Sequence, residues 1–432
     1  MRHRLDIVAL REPEPSDRTE RSKVKVRNKV LIFLFLLSMI TYIDRVCISV
    51  AGPRMQADLG MTPTSFGWLV GAFAISYAAF EVPGGMMGDK YGPRSVLTIV
   101  IWWWSVFTTL TGMVSNYVLL LITRFFFGAG EAAAYPVAST AVSRWFPTTE
   151  RARATGLVWM ASRVGGAVSP LLIVPLQMRY GWRISFYLFG ILGVIWGIAW
   201  YWWFRDYPSE KAGVSKQELD EIGAPTRAER HSLPWGIAIR KGNLWALMFM
   251  YFTYCYASFF FLSWLQTYLV KGRGFREKDL LLSTLPFVLG ALANLAGGIT
   301  SDYMVKKVGL KWGRRSCAIV GLSLAAVFTV ATLLTEAKIP ALIFLALSYA
   351  GSDFMLPSAW ATCMDIGKKY AGAVTGAMNT AGQVGSFLSS VLFGYLVTMS
   401  GSYDVPLIPM AVMLVISAVM WLKINPTEQL VE

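Results

Sequence analysis

The chain has 432 residues, of which 55% are hydrophobic, 14% are aromatic and only 15% are charged. This composition is more apolar than a soluble core requires, so it excludes a soluble globular domain and indicates a protein with several membrane spans. The formal net charge of +14 requires no nucleic-acid partner, because basic loops that face an anionic lipid leaflet account for most of it.

Residues 1–29 are polar and basic, without the apolar stretch or small-residue cleavage site of a signal peptide, so we expect a cytoplasmic tail. Apolar windows of about 20 residues follow, the length that crosses a hydrocarbon core of about 30 Å. Twelve such windows occur, at 30–50, 65–88, 95–115, 117–142, 153–176, 184–204, 243–270, 280–301, 316–335, 341–363, 372–398 and 405–424. They predict an all-α membrane protein with twelve transmembrane helices.

The positions of Lys and Arg predict the orientation of these spans. With both termini in the cytoplasm, 29 of the 40 basic residues lie in cytoplasmic segments, 8 in outer loops and 3 inside spans. This is a strong positive-inside bias. The sequence also lacks glycosylation sequons and organelle signals, so we expect a multi-pass protein of a bacterial inner membrane with both termini cytoplasmic.

Two halves of the chain resemble each other. Gly85-Met-Met-Gly-Asp89 is repeated as Gly298-Ile-Thr-Ser-Asp302, and a polar segment at 205–242 separates the first six windows from the last six. These features predict two six-helix bundles, 30–204 and 243–424, followed by a short cytoplasmic tail at 425–432. Two such halves around an axis along the membrane normal, with a site near the midplane, are typical of many secondary transporters.

Ionisable residues inside the spans are the main functional signal, because each costs about 3 kcal/mol at the centre of a membrane helix. Seven are present: Asp44, Arg45, Glu81, Arg124, Glu131, Arg163 and Asp353. Rise along the helix places Asp44 and Arg124 at similar depth, which predicts that they pair, and places Glu131 near the midplane. Arg163 either touches substrate or balances Glu131, and we expect Asp353 to be structural.

Several motifs carry a family resemblance. Gly85-x-x-x-Asp89-Lys90-x-Gly92-x-Arg94 resembles the signature loop of the major facilitator superfamily. Within that superfamily, Tyr42-Ile-Asp44-Arg45-Val46, Arg124-x6-Glu131 and Arg144-Trp-Phe-Pro147 resemble the anion:cation symporter family, which includes bacterial galactonate, glucarate and hexuronate transporters. The chain departs from that family at Cys47, where members commonly carry Asn, and at Glu81, where they carry Gln.

The resemblance implies a major facilitator fold and a set of site residues. Proton coupling is assigned to Asp44 and Glu131. Substrate binding is assigned to Arg45, Tyr42, Tyr77, Arg124, Arg163, Gln266, Ser358, Trp360, Asn379 and Gln383. Gating is assigned to Gly85, Asp89, Lys90, Arg94 and Asp302. A guanidinium suits an anionic substrate because its planar fork donates two parallel hydrogen bonds to a carboxylate.

We therefore predict a secondary active transporter that carries an organic anion, such as galactonate, glucarate or a hexuronate, together with protons by alternating access. Alternatives are an exchanger or exporter of carboxylates, including aromatic acids, and more remotely a membrane receptor that does not transport. No phosphate-binding loop and no His-Glu-x-x-His motif occurs, so we expect neither an enzyme nor an ATP-driven pump. The expected partners are the anion, protons and lipid, with no cofactor, no metal and a monomeric chain.

Overall fold

A computed structural model describes residues 25–223 and 234–430. Its main helices are α1 Val26–Asp58, α2 Pro63–Tyr91, α3 Pro93–Met113, α4 in two parts (Tyr117–Glu131 and Ala134–Trp145), α5 Thr148–Tyr180, α6 Arg183–Trp203, α7 Gly242–Ser263, α8 and α9 within Thr284–Leu333, α10 Lys338–Gly367, α11 Ala371–Ser400 and α12 Leu407–Met420. Shorter helical segments are Pro208–Glu210, Lys216–Ile222, Trp235–Ala238, Leu265–Thr267, Tyr268–Gly272, Glu277–Ser283 and Lys368–Tyr370. Within these two ranges the structure contains no strand.

Helices dominate because a lipid-embedded backbone satisfies its N–H and C=O groups within each segment. In the described part of the chain, ten helical segments are long and apolar enough to cross a membrane. One of them holds both α8 and α9, and α12 is a shorter apolar helix. Residues 1–24 of the tail predicted at 1–29 and the middle of the linker predicted at 205–242 lie outside the described residues, as does the end of the segment 425–432. Residues 26–29 belong to α1, so this helix begins before the window predicted at 30–50.

Local chemistry places several helix ends. The Thr62 side chain accepts a hydrogen bond from the Ser65 N–H at the start of α2, and the Asn116 side chain accepts two at the start of α4. Gly92, between α2 and α3, has φ of 84°, and Gly309, between α8 and α9, has φ of 83°. A side chain is strained in this region, so glycine makes the same tight turn in both halves.

We call the side that carries the segment 204–223 the linker face, and the other side the opposite face. The short helix Lys216–Ile222 packs on the linker face against the start of α1. There the Glu218 carboxylate accepts hydrogen bonds from the backbone N–H groups of Val26 (3.1 Å) and Arg27 (2.9 Å). Lys25 offers no side-chain cap to α1, so Glu218 satisfies N–H groups that have no partner within the helix.

The two halves touch closely at the opposite face. The backbone of α2 approaches α11 so closely that a Cβ on Gly67 would lie 2.5 Å from the carbonyl oxygen of Ser390. Nearby, the hydroxyl of Thr64 lies 2.8 Å from that of Thr398. The ion pair between Arg54 of α1 and Glu277 adds a second contact across the halves. The opposite face is therefore closed.

The same pair of helices separates towards the linker face. The last hydrogen bond between them along this direction joins the Asn379 amide to Glu81, at 2.6 Å. Beyond it, among the described residues, no heavy atom outside the adjoining turns of the same helix lies within 4 Å of the Cβ position at Gly376 or Gly372 of α11, or at Gly156 of α5. The structure is therefore closed at the opposite face and open between the halves at the linker face.

Candidate functional site

Arg45 lies near the middle of the first half, inside a cage of aromatic rings. Its guanidinium forms an ion pair with Glu131 of α4, and the side chains are 10% and 0% exposed. Four ring centroids lie near the guanidinium carbon, those of Tyr77 (4.8 Å), Tyr42 (5.3 Å), Phe73 (5.3 Å) and Tyr135 (6.0 Å). Cation–π attraction and one carboxylate thus hold a buried cation in place.

The break in α4 helps to form this cage. The helix stops at Glu131 and resumes at Ala134, which interrupts the window predicted at 117–142. Tyr135 lies just beyond the break, and its ring stacks on Trp159 of α5 with a centroid distance of 4.6 Å. The break therefore brings a carboxylate and an aromatic ring from one helix to the same guanidinium.

The predicted pairing of Asp44 with Arg124 is wrong. Both residues are buried and within electrostatic reach of each other, but they form no ion pair within 4.0 Å. Neither carboxylate oxygen of Asp44 has a hydrogen-bond partner among the described residues. Arg124 instead lies over the ring of Phe127, 4.3 Å from its centroid. Equal depth along two helices does not set the direction of either side chain, and Arg45 takes the carboxylate of Glu131.

A second charged cluster joins the two halves. Arg163 of α5 donates to the Asp353 carboxylate of α10 at 3.1 Å and to the Tyr349 hydroxyl at 2.9 Å. Tyr254 of α7 also lies 3.4 Å from Asp353. Arg163 thus balances Asp353 rather than Glu131, and Asp353 is a direct partner of a substrate candidate as well as a structural residue.

A small cavity lies between the halves, on the opposite-face side of the Arg45 cage. Its lining residues are Arg45, Ile48, Val70, Phe73, Arg124, Phe259 and Leu262. Two of them are cations, and Nη2 of Arg45 and Nε of Arg124 have no hydrogen-bond partner among the described residues. Buried donors without partners are costly, so these two guanidinium groups favour an anionic or hydrogen-bond-accepting group beside them.

The other predicted substrate residues lie at different levels. Gln266 contacts Ser49 and Ser283 in the closed region near the opposite face, and Ser358 bonds to Ser301 within the second half. Trp360 approaches Trp159 across the halves, with ring centroids 5.2 Å apart. Asn379 meets Glu81, as described above, and Gln383 is partly buried on the next turn of α11.

The residues predicted to gate lie on the linker face, where the halves are apart. Arg94 donates to the Tyr201 carbonyl (2.9 Å), and its backbone N–H donates to Asp206 (2.9 Å). Asp89 accepts a hydrogen bond from Thr140 (3.1 Å), Lys90 lies over the Tyr91 ring, and Gly85 lies against Pro136. In the second half, Asp302 pairs with Arg314 at 2.9 Å. These contacts stay within one half in this conformation.

Some site residues were missed by sequence reasoning. Tyr135, Trp159 and Tyr349 each lie four residues from a charged residue already selected, namely Glu131, Arg163 and Asp353. That spacing places both members on one helix face and is the signal that was available. No group of three or more metal-ligating His, Cys, Asp or Glu side chains occurs in the part of the chain that the structure describes.

Comparisons with known proteins now assign the family. The model of the Major Facilitator Superfamily matches residues 34–390. The chain is 35% identical to a protein of Cupriavidus necator named a probable sulfoacetate transporter, over 94% of this chain and 95% of that one. It is 31% identical to the hexuronate transporter of Bacillus subtilis, over 87% and 89% of the two chains.

A solved structure shows the same fold. A bacterial homologue of the human lysosomal transporter Spinster, in an inward-facing and unoccupied conformation, aligns with a TM-score of 0.77 at 18% identity, over 93% of this chain and 97% of that one. The predicted fold and the prediction that the chain is not an enzyme are confirmed. The chain belongs to the Major Facilitator Superfamily and is a multi-pass membrane transporter.

Proposed function

We propose that this transporter carries an organic anion together with protons by alternating access. The observation that carries the proposal is the buried ion pair of Arg45 with Glu131, inside an aromatic cage and next to a cavity lined by Arg124. A guanidinium with one unused donor and one exchangeable carboxylate partner offers an anion a binding site. The names of the relatives, which include sulfoacetate and hexuronate transporters, support an organic anion as substrate.

Competition for Arg45 couples the anion to the proton in this proposal. A substrate carboxylate or sulfonate and the Glu131 carboxylate both accept from the same guanidinium, and a proton on Glu131 weakens its hold on Arg45. Binding of the anion is therefore favoured when Glu131 takes up a proton. Release of that proton on the other side of the membrane restores the internal pair and expels the anion.

Asp44 is the second proposed proton site. It lies buried, and neither of its carboxylate oxygens has a hydrogen-bond partner among the described residues. An ionised carboxylate without partners in such surroundings costs several kcal/mol, whereas a proton removes most of this cost. Proton uptake at Asp44 thus removes one of the negative charges near Arg124, which strengthens the attraction of Arg124 for a substrate anion.

The proposal includes an orientation of the protein in the membrane. We place the linker face in the cytoplasm of a bacterial inner membrane, because the basic residues concentrate there. The open side of this structure then faces inward, and the chain acts as a monomer in the bilayer. The other half of the cycle closes the linker face and parts α2 from α11 at the opposite face.

The test is uptake into proteoliposomes of labelled sulfoacetate, galactonate, glucarate, glucuronate and an aromatic acid, with and without an inward proton gradient. Asp44→Asn and Glu131→Gln are compared with the wild type, and Glu336→Gln, on an exposed loop, is the matched control. Size-exclusion profiles check that each variant folds. We expect the gradient to drive accumulation of at least one acid in the wild type and the control.

Each carboxylate variant should lose gradient-driven accumulation and keep exchange of internal for external anion, since exchange needs no net proton movement. An uptake rate that changes neither with the proton gradient nor with the two substitutions would contradict proton coupling and indicate an exchanger. Absence of any uptake or binding would contradict organic-anion transport itself and favour a receptor.

A further inference from the structure

A second buried cation, Arg163, lies closer to the open linker face than Arg45 does. Arg163 is halfway along α5, its side chain is 12% exposed, and its counter-ion Asp353 is 0% exposed. Trp159, on the preceding turn of α5, contacts Trp360 across the halves, and Gly156, a further turn away, borders open space. An anion that enters from the linker face therefore meets Arg163 before Arg45.

A stacked aromatic pair links the surroundings of the two cations. The Tyr135 ring centroid lies 6.0 Å from the Arg45 guanidinium carbon, and Tyr135 stacks on Trp159, which lies one turn before Arg163 on α5. The two cations come from different helices, α1 and α5. The site therefore has two cationic centres rather than one.

Each cation has a carboxylate partner that is only partly satisfied. Oε2 of Glu131 and Oδ2 of Asp353 are buried and have no hydrogen-bond partner among the described residues. Each ion pair therefore uses a single carboxylate oxygen, although a guanidinium and a carboxylate can form two parallel bonds. A ligand that offers two oxygens to each guanidinium makes better hydrogen bonds than the internal partners do.

We propose that the substrate is a small dianion with an acid group at each end, one bound by Arg45 and the other by Arg163. This inference rests on the proposed function and names its substrate class. A monoanion engages one guanidinium and leaves the other paired with its internal carboxylate, so it forms half of the charge-assisted contacts. Sulfoacetate, named for the relative from Cupriavidus necator, carries a carboxylate and a sulfonate and belongs to this class.

The dianion also has a conformational effect. Asp353 lies in the second half and Arg163 in the first, so their ion pair crosses the boundary between the halves. An acid group that takes the place of Asp353 on Arg163 breaks this crossing pair, whereas the Arg45 pair lies within the first half. The acid group that binds Arg163 is therefore the part of the substrate that changes how the two halves are held together.

The test compares ligands that differ only in one acid group. Sulfoacetate is paired with isethionate, in which a hydroxymethyl group replaces the carboxylate, and galactarate is paired with galactonate in the same way. Each is measured as an inhibitor of anion exchange in proteoliposomes at pH 7.5. The first variant is Arg163→Gln. The second combines Arg163→Gln with Asp353→Asn, so that neither member of the ion pair remains as an unpaired charge. Arg183→Gln, on the opposite face, is the control.

We expect the wild type and the control to prefer the dianion by about 10- to 100-fold in at least one pair, the range of one charge-assisted contact. Both Arg163 variants should lose this preference, because the affinity for the dianion falls by that factor more than the affinity for the monoanion. Equal inhibition by both members of each pair in the wild type would overturn the inference, as would an equal loss for both members in the double variant. If no acid inhibits or exchanges at all, the proposed function fails first, and the inference falls with it.

Discussion

The close approach of α2 and α11 allows a quantitative test of alternating access with the substitution Gly67→Ala. A Cβ at this position would lie 2.5 Å from the Ser390 carbonyl oxygen, whereas ordinary van der Waals contact begins near 3.4 Å. The obstacle is backbone rather than a flexible side chain, so the helices have to move apart. We therefore expect the substitution to disfavour closure of the opposite face.

The size of the effect follows from the cost of overpacking, about 1–3 kcal/mol. This cost applies only where α2 and α11 touch, so it shifts the equilibrium towards an open opposite face by about 5- to 150-fold. Replacement of Gly by Ala in a helix also contributes about 0.5–1 kcal/mol of helix stability. That gain is common to both conformations, so it does not change the equilibrium between them.

The assay is pulsed electron–electron resonance between spin labels at Ala57 of α1 and Met399 of α11, two exposed positions on the opposite face in different halves. Gly376→Ala is the matched control, because Gly376 lies on α11 and no described heavy atom outside the adjoining turns of that helix lies within 4 Å of its Cβ position. The distance distribution should lengthen for Gly67→Ala alone. An unchanged distribution, or an equal lengthening in the control, would refute the reasoning.

Two further predictions concern single contacts. Asn379→Asp would place a second carboxylate at the 2.6 Å contact with Glu81, so uptake at pH 7.5 should fall about 10-fold or more through like-charge repulsion. Glu81→Gln in the same chain should restore uptake, and no recovery in the double variant would mean that this contact is not the cause. Glu218→Ala leaves two N–H groups at the start of α1 without a partner and should destabilise the protein by about 1–2 kcal/mol, measured as a lower melting temperature in detergent. Glu210, an exposed linker residue, provides the control. A decrease in melting temperature no larger than that of Glu210→Ala would contradict the capping role.

The level of each charged residue was predictable, but its partner was not. Counting residues along α1 and α4 places Asp44 and Arg124 at similar depth, and this led to the wrong pair. The partner depends on the direction of each side chain around its helix. The break of α4 after Glu131 and the ring of Phe127 beside Arg124 decide that direction, and both are outcomes of packing between helices.

The contact between the halves was also predictable only in part: the residues could be recognised, but their pairing could not. Arg163 and Asp353 were both recognised as intramembrane charges, and the repeat predicted that they lie in different bundles. Their 3.1 Å contact depends on how α5 packs against the second half, which no local pattern encodes. Likewise, the Glu81 departure from the family pattern was visible, whereas its bond to Asn379 required the approach of α2 and α11.

The sequence by itself determined that this chain is a helical membrane transporter of the Major Facilitator Superfamily, and at what depth its charges lie. Apolar length and helix rise are local properties, and lipid requires each segment to satisfy its own backbone, so neither depends on the neighbouring helices. Only the tertiary structure decided that Glu131 holds Arg45, that Asp353 holds Arg163 and that the linker face is open. Those outcomes depend on contacts of a few ångströms between helices, where a residue as small as Gly67 decides whether two backbones meet.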